Sequence, residues 1–431
     1  RRREGRVAEG AGEGGGEGAG QKVAGCGGRQ AVEGERKKEQ RWQLRQWQDV
    51  DVVVCGQGEG EEGDCKIAGW ESSYTGEAIA AEEMRIWVEE TVKRVQELKP
   101  KKVLEIGCGT GLLLTRLAGD CERYVGVDFS KEVLSRLGRY VESREDLKHV
   151  ELREGMAHEL GVLEGESVDV VLINSVVQYF PDVEYLLEVM KEALRVTAEG
   201  GWIVVGDVRS LELEEAYRTS VEVYKGKEEM GIGELRKKVE EGKRREEELV
   251  IGAGLFDRMW ENWEGIGRVE KKLKGGRYDN ELSRFRYEVV MRKGEKEEAE
   301  EAAVWVEWDE EGAWREAVEQ GTREGQAVGV RSLRDGRVAG AVESVREMKG
   351  GEVKTVGELR RRSGTRQGED PENVMELGRR LGVGVRWEGF GEDGMYAVVF
   401  NGGWKRSEKP REPGEIDYRR YGTTPDRKSV V

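Results

Sequence analysis

The chain has 431 residues, room for two or three domains of ordinary size, and its 88 acidic residues outnumber its 72 basic ones, for a formal charge of −16. That excess repels phosphate backbones and argues against a nucleic-acid partner, and no apolar run reaches the roughly 20 residues a membrane helix needs. Five cysteines without a Cys-x-x-Cys pair, and only two histidines, His149 and His158, argue against a disulfide framework, a zinc ribbon, a Ser-His-Asp relay and a resident metal. A reducing, cytoplasmic setting is expected.

Residues 1 to about 40 are dominated by Gly, Glu, Arg and Ala, and 41–64 carry one hydrophobic patch at Val50–Val54 before a Gly/Glu run. Too little apolar surface is available there to offset ordering entropy, so the segment reads as disordered, passing into a linker. The opening Arg1-Arg2-Arg3 has no apolar stretch behind it, so no signal peptide is expected. Order is expected to begin near Trp70, and a first domain is assigned to 65–293.

Within it, Met84, Trp87, Val88, Val92, Val95 and Leu98 recur at helical spacing, and Pro100 stops that helix. Strand-like and helix-like pieces then alternate: a strand at 103–106, a helix from 112, a strand at 124–127, a helix over 131–141 and a strand at 149–152. An apolar strand at 168–173, a helix over 185–196 and, after Gly200-Gly201, a strand at 202–205 follow. Residues 211–256 read as helical and highly charged, and two strands close the domain at 267–273 and 285–291. Such alternation predicts a mostly parallel α/β sheet with helices on both faces. Residues 294–303 read as a Glu/Lys/Ala linker. Over 304–403 a smaller α/β region is expected, with strands at 305–308 and 396–400 and helices at 356–362 and 371–381. Asp370-Pro371 suits the last of these as an N-cap followed by proline at the first position. Residues 404–431 read as an irregular tail.

The sharpest motif is Leu104-Glu105-Ile106-Gly107-Cys108-Gly109-Thr110-Gly111, between a strand and a helix. Glycines there permit a tight turn and a close approach of backbone to ligand. A dinucleotide loop would need GxGxxG; here the third glycine comes one position early and Leu112 follows it. This GxGxG form, with Glu105 two residues before the first glycine, is that of methyltransferases that bind S-adenosylmethionine. Asp128, ending the second strand, supplies the carboxylate that would grip two ribose hydroxyls. An α/β sheet whose last two strands are adjacent completes the layout, a Rossmann-like class I methyltransferase sheet of seven strands with the last pair antiparallel.

Further motifs narrow the family. Trp70-Glu71-Ser72-Ser73-Tyr74-Thr75-Gly76-Glu77 precedes the first helix, and Asn174-Ser175-Val176-Val177-Gln178-Tyr179-Phe180-Pro181 follows the central strand. Gly206-Asp207-Val208-Arg209-Ser210 ends the next strand, and Arg277-Tyr278-Asp279-Asn280-Glu281-Leu282-Ser283-Arg284-Phe285-Arg286-Tyr287 leads into the last. Together they resemble the N-methyltransferase domains inserted in adenylation domains of nonribosomal peptide synthetases, over roughly residues 42–425. The resemblance implies methylation of the α-amine of an aminoacyl group, held as a thioester on the phosphopantetheine arm of a carrier domain. The implied partners are that carrier domain and an adenylation domain. A free-standing small-molecule methyltransferase and a non-catalytic remnant of a synthetase module are the alternatives.

Glu105, Gly107, Cys108, Gly109, Gly111, Asp128, Phe129, Ala157 and Asn174 are the expected cofactor-binding residues. Cys108 reads as a small loop residue, not a nucleophile. Tyr179, Gln178, Asp207 and Tyr74 are the catalytic candidates, with Tyr179 and Gln178 facing the amine and Asp207 accepting its proton. An α-amine has an ordinary pKa of about 8, so a strong base is optional, and alignment can supply much of the rate. His158 reads as a satisfied surface histidine, and Trp305, Trp308 and Trp314 as core. The charge run 236–248 reads as a solvated face whose Lys243-Arg244-Arg245 cluster could dock an acidic carrier domain.

Overall fold

The computed structural model describes residues 70–161, 167–364, 367–407 and 416–425. The expected disordered segment and linker at 1–64, including Val50–Val54, lies outside the described residues.

Short apolar runs form seven strands: β1 (Lys102–Ile106), β2 (Arg123–Asp128), β3 (Val150–Glu154), β4 (Val168–Asn174), β5 (Thr197–Arg209), β6 (Ile266–Leu273) and β7 (Arg286–Lys293). They lie in the order β3-β2-β1-β4-β5-β7-β6. The first five are parallel, and β7 runs antiparallel to both neighbours. This is the expected α/β sheet. Side chains alternate between its faces, as the pleat requires. Leu104, Ile106, Val125, Val127, Val171, Ile173, Val205 and Val289 enter one core. Val103, Tyr124, Val170, Leu172, Val204 and Val290 enter the other.

Helices α1 (Ala81–Gln96), α2 (Leu114–Leu117) and α3 (Lys131–Glu142) cover the second face with Met84, Trp87, Leu114, Leu117 and Leu137. Ser130 caps α3 by accepting from the Val133 amide. On the first face lie α4 (Val183–Val196), capped by Asp182, and, after α5 (Glu214–Lys225) and α6 (Ile232–Arg244), α7 (Gly254–Asn262). A one-turn helix, α8 (Glu281–Arg284), leads into β7 and carries an Asn280/Ser283 capping box.

The C-terminal part forms a second sheet. Its order is β11-β12-β10-β9, built from β9 (Val304–Glu307), β10 (Val328–Arg334), β11 (Val385–Glu388) and β12 (Met395–Phe400). Helices α9 (Ala313–Arg323) and α12 (Pro371–Leu381) pack on it through Trp314, Val318, Val374 and Leu377. Between them in the chain, α10 (Ala339–Gly350) and α11 (Val356–Ser363) pack instead on α5 and α6 through Met348, Val356 and Leu359. The Asp370 side chain accepts from the Glu372 amide, with Pro371 at the first position of α12.

Two expectations need correction. The stretch read as a linker contains β8 (Glu297–Ala299), and the tail read as irregular begins with β13 (Trp404–Arg406), which pairs antiparallel with it. Their charged, three-residue sequences carry no apolar alternation, so only the pairing reveals them. The tail also returns to the first part of the chain, pairing with the segment before α7: the Thr423 amide donates to the Val250 carbonyl at 3.0 Å and the Gly252 amide to the Tyr421 carbonyl at 2.7 Å. Trp314 is core, Trp308 packs against it, and half-buried Trp305 lies under the Arg331 guanidinium at 4.3 Å. His158 is satisfied by the Tyr185 hydroxyl at 2.9 Å. Lys243, Arg244 and Arg245 are exposed at the end of α6.

Candidate functional site

The carboxyl ends of β1, β2, β4 and β5 meet along one edge of the sheet, where open α/β sheets bind ligands. After β1 the chain turns across the end of β2: the Gly107 and Cys108 amides both donate to the Val127 carbonyl, at 2.7 and 3.1 Å. Gly107 has φ +73°, and a Cβ there would lie 2.4 Å from Val176 Cγ2. Any side chain would therefore push away the segment that follows β4. Cys108 is buried, and burial raises its thiol pKa, which removes it as a nucleophile.

Asp128 lies against this loop. Its Oδ2 accepts from the Gly109 amide at 3.0 Å and its Oδ1 from the Ser130 amide at 2.8 Å. Burial raises its pKa, and these amide donors pull it back. Each oxygen keeps a lone pair for a further donor. Phe129 beside it and Ala157, in the turn after β3, are both half-buried, and the Gly155 amide ties that turn to the Asp128 carbonyl at 3.0 Å. Glu105 accepts from the Tyr124 hydroxyl at 2.9 Å, and burial lifts its carboxyl to about 8. At the end of β4, Asn174 is 8 % exposed and its Oδ1 has no hydrogen-bond partner among the described residues. A Cβ on Gly206 would fall 2.0 Å from that oxygen.

Beyond Asn174 the backbone is strained. Ser175 and Asp207, at the ends of neighbouring strands, have φ of +57° and +63°; such left-handed residues cost roughly 1–3 kcal/mol each and persist only where the surroundings hold them. What holds them is Asp207. Its carboxylate accepts from Ser175 Oγ at 2.8 Å, from Trp87 Nε1 at 3.2 Å and from Arg286, and Lys274 Nζ lies 3.9 Å away.

Next to this cluster is a polar cavity of about 200 Å³. Tyr179, Arg286, Glu248, Trp70, Tyr217 and Glu281 are among its lining residues. Burial pushes the Tyr179 phenol well up, with Glu248 adding to the rise, so it stays protonated. Gln178 is 2 % exposed; its amide lies near the Tyr179 hydroxyl but makes no hydrogen bond of ordinary geometry.

The expected residues are thus divided. Gly107, Gly109, Gly111, Asp128 and Asn174 share one edge, and Tyr179 lines the cavity next to it. Asp207 is fully buried behind Arg286 and does not line the cavity. Tyr74 is not a lining residue: its hydroxyl bonds Ser220 Oγ at 2.8 Å, fastening the 70–79 segment to α5. Nothing in the sequence places Arg286, Arg209 and Glu248 at the site. Arg286 stands within the Ser283-Arg284-Phe285-Arg286-Tyr287 motif, a signal for its importance but not for its place. The β5–β7 register, with Arg209 opposite Arg286, brings the start of the antiparallel strand to the carboxyl edge.

Residues 104–205 match the methyltransferase domain family. The chain is 39 % identical over 270 residues to chondramide synthase of Chondromyces crocatus, covering 62 % of this chain and 7 % of that protein. It is 33 % identical over 236 residues to the beauvericin nonribosomal cyclodepsipeptide synthetase of Beauveria bassiana, covering 54 % and 7 %. The chain therefore spans less than a tenth of these relatives. The N-methyltransferase NodS of Bradyrhizobium japonicum aligns with 48 % of this chain and 97 % of its own, at 17 % identity and TM-score 0.32. The strand order, not that overlay, carries the fold assignment.

Proposed function

Since the chain carries a methyltransferase domain with relatives among peptide synthetases, we infer that it N-methylates the α-amine of an aminoacyl group, using S-adenosylmethionine. The observation that carries this reading is the continuity of the edge: a glycine cradle and a buried acid lead past Asn174 into a polar cavity headed by Tyr179. The residues suit the cofactor. The space over Gly107 is closed to any Cβ, Asp128 keeps a lone pair on each oxygen, and Asn174 Oδ1 lacks a partner.

When bound, the cofactor supplies an electrophilic sulfonium methyl group. Asp128 would hold the ribose hydroxyls, the backbone of Gly107–Gly111 would pack on the methionine part, and Asn174 Oδ1 would accept from the cofactor. Phe129 and Ala157 border the adenine. The acceptor amine attacks as its neutral form. Tyr179, a protonated phenol, accepts an amine N–H and so orients the nitrogen lone pair, and Gln178, whose buried amide lacks a partner among the described residues, faces the same amine. Asp207 organises Arg286 and the strained strand ends in place of taking the proton, which leaves the methylated amine for water. Alignment of this kind can account for several kcal/mol of barrier. The acceptor arrives on a carrier domain, and an adenylation domain loads that carrier.

Calorimetric titration with S-adenosylhomocysteine tests the cofactor half. Saturable binding that Asp128→Ala weakens by at least about tenfold, the scale of a lost charge-assisted hydrogen bond, is expected. A folded protein that binds neither cofactor nor product would refute the enzyme reading.

A further inference from the structure

The cavity beside Tyr179 contains a cation that the methyl-transfer step does not need. Arg286 is only 12 % exposed in its side chain, and its one hydrogen bond among the described residues is to the buried Asp207 carboxylate. A guanidinium has five N–H donors in a planar fork. The rest of this one lines the cavity, under the Trp70 ring at 5.7 Å. The second arginine of the cavity differs: Arg209 is already paired with three carboxylates, Glu214, Glu246 and Glu248, at 2.8, 2.8 and 2.7 Å.

A fork so held, with donors to spare, selects an oxygen acceptor. It repels a cationic amine, which Glu248 on the same wall attracts. A ligand with an amine at one point and a carbonyl or carboxylate oxygen one carbon away satisfies both. Resting on the N-methylation reading, we propose that Arg286 is the acceptor-binding residue that takes the carbonyl oxygen adjacent to the amine, so that the domain selects α-amino carbonyl compounds over simple amines. The oxygen belongs either to an aminoacyl thioester or to a free amino acid. A rigid fork anchored behind by Asp207 fixes the distance from that oxygen to Tyr179, which places the nitrogen between them. Lysine preserves the charge facing Asp207 but offers a single flexible ammonium and not a fork.

The test uses the full chain and Arg286→Lys, with a pooled set of L-aminoacyl N-acetylcysteamine thioesters, the free amino acids, and the thioester analogues whose carbonyl is a methylene. Methyl products are read by mass, and S-adenosylhomocysteine affinity by calorimetry. Expected is a wild-type preference for the carbonyl compounds that Arg286→Lys erases, chiefly through a KM raised roughly 10- to 100-fold, the scale of a lost charge-assisted hydrogen bond, with product affinity little changed. Preference for free amino acids over thioesters would keep the proposal and assign the oxygen to a carboxylate. A wild type indifferent to the carbonyl, or a variant that loses kcat while keeping the preference, overturns it. Methylation of no pool member by a protein that binds S-adenosylhomocysteine overturns the N-methylation reading itself, and this proposal with it.

Discussion

At the scale of single residues, the site is shaped by atoms with no room to be otherwise. Gly107 is held by the closeness of Val176, and Gly206 by the Asn174 oxygen lying where its Cβ would stand. Glu105 is the most informative titratable group. Burial raises its carboxyl to about 8, against the Tyr124 hydroxyl that donates to it. Between an unfolded pKa of about 4.3 and that value, the folded protein keeps a proton that the unfolded chain has released. Stability therefore falls as pH rises through this window and levels off above it. Glu105→Gln should remove the effect, gaining on the wild type by on the order of a few kcal/mol between about pH 5 and about pH 8.5. Urea midpoints at the two pH values measure it, and a pH-independent difference would show that Glu105 is ionised in the fold. The glycines and Glu105 were legible because one loop of contiguous residues carries their chemistry. The Asn174 oxygen was legible as a residue but not as an unpaired atom, which only its surroundings decide.

At the scale of elements, the acceptor side is built by connections rather than by a motif. Arg209, at the end of β5, binds Glu214 at the start of α5 and both Glu246 and Glu248 in the segment between α6 and α7. Arg218 joins Glu214 at 2.8 Å and also pairs with Glu246. The charge run 236–248, which in sequence resembles one solvated face, is thus split: its basic end is exposed, while Glu246 is drawn into a buried cluster. Removing one member of such a cluster leaves the others uncompensated in a low-dielectric setting. Arg209→Met should lower the unfolding free energy by about 3–5 kcal/mol, read from urea denaturation near neutral pH. A loss under about 1 kcal/mol would mean that solvent screens the cluster. The helix starts at Ser130, Asp182 and Asp370 follow rules contained within one turn. Strands β8 and β13 follow no such rule, since two charged residues beside an alanine or a tryptophan become a strand only when a partner arrives.

At the scale of the whole molecule, the second sheet is fastened to the turn that feeds the site. Arg337 donates to the carbonyls of Lys274 and Gly276 at 2.7 and 2.8 Å and to Asp370 at 2.9 Å. The Gly276 amide donates to Glu372 at 2.7 Å, and Phe390 stacks on Tyr287 at 6.5 Å. Residues 274–276 lead to Glu281, which accepts from the Ser73 amide at 2.6 Å and so holds the 70–79 segment over the cavity. Below the same turn, Glu288 binds Lys274 and Arg94 at 2.7 and 3.1 Å; burial would raise its carboxyl, but these two cations bring it down to about 2. Arg337→Ala should loosen the second sheet from the first. Scanning calorimetry should then resolve two transitions where the wild type gives one, with cofactor affinity retained. A single transition at an unchanged temperature would show that apolar packing alone joins the sheets.

Periodicity, turn glycines and caps act among neighbours in the chain, so the sequence by itself determined the order of strands and helices in the first sheet, the cofactor loop and the acid that follows it, but not β8, β10, β11 or β13. Tertiary structure decided what depends on residues far apart. Arg286 meets Asp207 across 79 positions, and Trp87 meets it across 120, because β7 enters the sheet antiparallel and α1 packs under the end of β5. Where a buried charge finds its partner is settled by the register of strands, and no local pattern encodes that register for a strand whose partner is distant in sequence.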